Sequence, residues 1–79
     1  MGTKNKPGSY DCYERAEPDE PMFILLARDP QAPSRVYDWA RTREEAIQRG
    51  DAPSSDIEKV REARACAKAM FDWRKEHRK

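Results

Sequence analysis

One histidine, two cysteines and three glycines in 79 residues leave little material for a catalytic or metal centre. His77 is that single imidazole, and it stands two residues from the C-terminal end among Arg and Lys. Nucleophilic catalysis by a Ser/His/Asp or Cys/His set needs an imidazole held rigidly by a partner, so His77 reads as a solvated side chain. Cys12 and Cys66 are far apart and form no C-x-x-C; with His77 they supply no zinc ligand set within one chain. The carboxylates lack the spacing of a calcium loop. Gly2, Gly8 and Gly50 never cluster, which leaves no phosphate-cradling loop. The acidic pairs Asp19-Glu20 and Glu44-Glu45 suit helix starts and solvated faces, with no apolar cleft beside them to perturb a carboxyl. The expectation is a non-enzymatic protein without cofactor or metal.

Long apolar runs are equally scarce. The longest, Met22 to Ala27, is far short of a membrane span. Lys4 and Lys6 lead into Pro7, Gly8 and Ser9 rather than into an apolar stretch, so no signal peptide is expected. These features point to the cytoplasm. Two reduced thiols are expected there, with Cys66 packed in a core, and a disulfide only in an oxidising compartment.

Charge is abundant. Asp, Glu, Lys and Arg make up 39% of the chain against 37% hydrophobic residues, yet the net charge is only +1. Self-repulsion therefore does not force the chain open. A chain this short buries roughly 60–65% of its unfolded surface, enough for one domain with a thin core. Two Trp, three Tyr and two Phe provide large groups for it. A partner or a second copy would add stability.

Along the chain, residues 1–8 hold no large apolar group beyond Met1 and end in Pro-Gly, the pattern of a flexible leader; residues 9–79 form the domain. Ser9 is placed to cap a short helical turn over Tyr10, Cys12 and Tyr13, which Pro18 must end. Asp19-Glu20-Pro21 reads as a helix start before Met22-Phe23-Ile24-Leu25-Leu26-Ala27. Period alone does not separate a buried helix from a buried strand in so short a run. Leu, Met and Ala favour helix, and no second strand is evident, so a short apolar helix is expected. Pro30 and Pro33 open the next helix with Asp29 as cap. From Ser34 to Arg49, Val36, Ala40 and Ile47 share one face, and Gly50 stands where a left-handed residue ends a helix. Ser55-Asp56-Ile57-Glu58 has the form of a capping box. The last helix should start there and reach the C-terminus, with Ile57, Val60, Ala63, Ala67, Met70 and Arg74 on one stripe. Ala63, Ala65, Cys66, Ala67 and Ala69 make a surface that another helix can approach closely. The fold class expected is all-α, a small helical bundle dominated by two longer antiparallel helices.

Binding surfaces are better supported than active sites. Arg35, Arg41, Arg43 and Arg49 make one side of the first long helix basic, with Tyr37 and Trp39 nearby. Trp73, Arg74 and Lys75 repeat the theme on the last helix. Arginine with tryptophan suits a protein hot spot, or contact with phosphates and bases. Against this, Arg41 has Glu45 one turn on, Lys59 has Glu62, and large aromatics in so thin a core are expected to pack inside. The ends differ in sign: Asp11, Glu14, Glu17, Asp19 and Glu20 face only Arg15, while Arg74, Lys75, Arg78 and Lys79 face Asp72 and Glu76. Such patches can pair within a molecule, between copies or with other partners.

The stretch from Asp19 to Pro33, followed by Val36 and Trp39-Ala40, resembles a group of small bacterial and phage-borne proteins with a D-E-P-x-F-x-L-x-A-x-D-x-x-A-P core. Their later Ala/Cys/Met/Trp helix is matched by Ala65-Cys66-Ala67, Met70 and Trp73. The likeness spans most of residues 10–74 and implies a bacterial or prophage accessory protein, without implying an active residue. Together these readings lead to an expected role in protein–protein interaction, as a homo-oligomer. Nucleic-acid or nucleotide binding through the Arg/Trp surfaces of the last two helices is the alternative, with near-zero net charge against it.

Overall fold

A computed structural model describes residues 1–77. Its elements are α1 (Cys12–Arg15), α2 (Ala32–Arg49), a 3-10 turn over Ser54–Asp56, and α3 (Ile57–Glu76). The fold is all-helical, with no strand among the described residues. Arg43 meets Asp56 at 3.1 Å, Glu44 pairs with Arg64, and Arg74 reaches back to the chain just before α2. Successive contacts run in opposite directions along the two long helices, so α2 and α3 form an antiparallel hairpin.

The alternation of small and branched side chains creates the seam. Ala40, Val60 and Ala63 form the centre, and Met1, Val36, Ile47 and Ile57 pack around it. Ala67, Ala32 and Pro33 are also buried. Alanines let two helices approach closely, but each contributes little area. The predicted stripe on α3 is seen: Val60, Ala63 and Ala67 are buried, and Ile57, Met70 and Arg74 half-buried. The radius of gyration is 13.4 Å, against about 11.6 Å for a compact domain of this length. A two-helix layer with a thin seam accounts for the difference.

Helix ends follow local chemistry, with some corrections. Gly50 adopts φ 81° and ends α2; its N–H donates to the Ile47 carbonyl, and the Asp51 N–H donates to that of Ala46. This is the Schellman arrangement, as the sequence suggests. Asp11, not Ser9, caps α1, accepting the Tyr13 N–H at 3.2 Å. Asp29 acts just before α2 instead of at its cap: its carboxylate takes the Gln31 N–H and its carbonyl the Ala32 N–H. Helix α2 therefore starts at Ala32, with Pro33 in its first turn. The capping box at Ser55–Glu58 does not form. A 3-10 turn precedes α3, no side chain caps it, and the Asp56 carboxylate is spent on Arg43.

The largest correction concerns Met22 to Ala27. The segment is neither helix nor strand; only its last residue joins a turn, closed by the Asp29 N–H on the Leu26 carbonyl. Pro21 and Pro30 bracket too few residues to offset the cost of helix nucleation. The alanine-lined seam also has no room to pack so bulky a segment. At the N-terminus, the stretch expected as a flexible leader carries reciprocal bonds between Thr3 and Lys6. Met1 lies against the core cluster, with its ammonium near Tyr10 and Glu62.

Candidate interaction surface

The cationic and aromatic residues singled out in the sequence fall into two groups at opposite ends of the hairpin. Trp39 and Arg43, one turn apart on α2, stack with the guanidinium 5.1 Å from the indole centroid. Arg43 is held there by Asp56. With Thr42, Ala46, Asp51 and Ala52 they line an open cleft of about 410 Å³ beside the α2–α3 connection. At the other end, Trp73 stacks on His77 with ring centroids 3.8 Å apart and planes 14° apart. Arg28, Arg74 and these two rings line a smaller cleft of about 250 Å³. The two tryptophans do not share a cleft.

Both tryptophans were expected in the core, and both are exposed, Trp39 by 39% and Trp73 by 42%. The reason is the seam itself, whose alanines leave no space for an indole. Cys66 is half-buried beside the seam, Cys12 is exposed, and both are free thiols. His77 is exposed, with Nδ1 2.8 Å from the Trp73 carbonyl oxygen.

Most of the arginines proposed for binding are already engaged. Arg41 lies between Asp38 and Glu45, at 3.9 and 3.4 Å. Arg43 has Asp56. Arg74 donates to the carbonyls of Arg28 at 2.8 Å and Ala27 at 3.4 Å, tying the segment before α2 to the end of α3. Lys59 does not pair with Glu62; its ammonium sits over the Tyr10 ring. Arg28, Arg35 and Lys75 make no ion pair among the described residues, nor do Glu14, Glu17, Asp19 and Glu20. The expected basic patch extends to Arg78 and Lys79, which lie outside the described residues.

The surface that sequence reasoning missed is apolar. Phe23 is 86% exposed and Ile24 61%, with Met22 and Leu26 about half exposed. Phe71 and Tyr37 add exposed rings on α3 and α2. The backbone N–H and C=O groups of Met22 through Leu25 make no hydrogen bond among the described residues. One short segment thus presents large apolar side chains and unpaired main chain together. The signal for it was in the sequence: prolines at 18, 21, 30 and 33 fence off a run too short to be a stable helix.

No group of three or more potential metal-binding side chains occurs among the described residues, and no helix there is long and apolar enough to cross a membrane. Comparison with protein-family models, curated proteins and solved structures gives no match.

Proposed function

We propose that this chain is a small non-enzymatic accessory protein of a bacterium or prophage that acts in the cytoplasm by protein–protein association. One observation carries the reading: Met22, Phe23, Ile24 and Leu26, consecutive but for Leu25, stand in solvent on a segment with free backbone groups. Contiguous apolar exposure of this kind is the mark of an association surface. Its neighbours fit an interface rim, with unpaired acids at Glu17 to Glu20 on one flank and unpaired Arg28 on the other. Nucleic acid or nucleotide is a weaker fit. Arg41, Arg43 and Arg74 would each have to leave a partner they already hold.

Photo-crosslinking in the native host, with the reactive group in place of Phe23, tests the proposal. Covalent adducts to protein, whether a second copy or another chain, support it. Adducts to nucleic acid alone, or none to protein, overturn it.

A further inference from the structure

The association proposed above leaves open which chain covers the apolar segment, and the segment's own symmetry bears on that. Residues 20–28 read Glu-Pro-Met-Phe-Ile-Leu-Leu-Ala-Arg, an acid at one end and a base at the other with Ile24 midway. Two such segments laid antiparallel about Ile24 bring Glu20 of one copy to the end where the other turns at Ala27 and Arg28, so that an acid meets a base at both ends. Met22 then faces Leu26, Phe23 faces Leu25, and Ile24 faces its own equivalent. We propose that two copies of this chain associate by pairing residues 22–26 as an antiparallel two-stranded ribbon.

The free backbone groups select the phase of that pairing. In an antiparallel pair, opposed residues alternate between exchanging two hydrogen bonds and exchanging none. If Phe23 and Leu25 are the bonded pair, every bond uses an N–H or C=O that is free in the single chain. The other phase would call on the Leu26 carbonyl, which already accepts the Asp29 N–H at 2.9 Å. In the favoured phase the next bonded position would set the Pro21 nitrogen toward the partner's Ala27 carbonyl. Proline has no N–H to donate, and that carbonyl already accepts from Arg74. The ladder stops where neither group is needed. Ile24 then falls at a close, non-bonded position, where side chains across the strands pack tightly.

Both charges are available. Arg28 has no partner among the described residues, and Glu20 uses one oxygen for the nearby Glu17 N–H while making no ion pair. The face holding Met22, Ile24 and Leu26 is doubled by pairing, giving six apolar side chains framed by two Glu–Arg pairs. A two-stranded ribbon is marginal alone, so the dimer is weak and concentration-dependent.

Sedimentation of the full chain across a dilution series tests this with charge reversals. Glu20→Arg alone and Arg28→Glu alone each create two like-charge pairs per dimer. Each should raise the dimer dissociation constant about tenfold, from the size of cross-strand charge pairs. Mixing the two single variants makes every opposed pair complementary again, and should return association to within about threefold of the unmodified chain by the same reasoning. The Glu20→Arg/Arg28→Glu double variant should do likewise. Circular dichroism on each variant checks that the helices are unchanged. A chain that stays monomeric at high micromolar concentration overturns the pairing, as does association indifferent to the reversals or not rescued by mixing. Either result, alongside adducts from Phe23 to a different protein, would sink the self-pairing and leave the association proposal standing.

Discussion

Replacing Ala63 with leucine and, separately, Ala69 with leucine places the same side chain at two points of one helix with opposite expected results. Ala63 is 1% exposed, beside Val60 and Ala40 at the seam, whereas Ala69 faces solvent. Leucine adds three carbons to a seam that is narrow because alanines face across it. The helices must separate or the side chain must leave its rotamer, a cost of typically 1–3 kcal/mol. With so little core to absorb the shift, a loss of about 2 kcal/mol is expected for Ala63→Leu by that scale. For a domain of this size that lowers the melting temperature by roughly 8–16 °C. Ala69→Leu should change stability by no more than about 0.5 kcal/mol, as for other solvent-facing sites. Thermal unfolding followed by helical circular dichroism at one low protein concentration reads both. Equal shifts for the two variants would refute the packing of α3 against α2 through Ala63.

Other substitutions separate core from surface. Val60→Ala, at the centre of the cluster, should cost about 2 kcal/mol from lost methyl burial and the cavity left behind, measured by urea unfolding. Phe23→Ser should leave monomer stability within about 0.5 kcal/mol of the unmodified chain, because the ring is almost wholly in solvent; a drop comparable to that of Val60→Ala would mean Phe23 is core. Gly50→Ala should cost about 1 kcal/mol, since a side chain must adopt the left-handed φ that ends α2, and thermal melts would show it. Acrylamide should quench the fluorescence of the single-tryptophan variants Trp39→Phe and Trp73→Phe readily, though less than that of the unfolded chain, since each indole is partly covered by a stacked neighbour; emission as shielded as that of a core indole would contradict the exposure of the remaining ring.

The parts legible in the sequence are those set by local, periodic signals. The α3 stripe from Ile57 to Arg74, the α2 face of Val36, Ala40 and Ile47, and the Gly50 ending follow from spacing and from one residue's conformational freedom. Capping was harder to read, because several side chains compete for each helix end. Asp56 stands within an apparent capping box, yet a guanidinium from the other helix claims it, and only the fold brings Arg43 there. The tryptophans and the apolar run misled for one shared reason. Hydrophobicity marks what should be buried somewhere, but not whether one chain has the volume to bury it. A seam built from alanine has no such volume, so Trp39, Trp73 and Met22, Phe23, Ile24 and Leu26 are left on the outside.

Hydrogen exchange at Met22 to Leu25, followed by mass spectrometry across a range of protein concentrations, tests most directly that this segment is an open association surface. In dilute solution these amides should exchange at nearly the rate of an unstructured chain, because no group among the described residues accepts them. At high concentration Phe23 and Leu25 should gain protection while Met22 and Ile24 gain less, as the phase of the pairing requires. Strong protection at every concentration would mean the segment is paired within the single chain, and the account would fail.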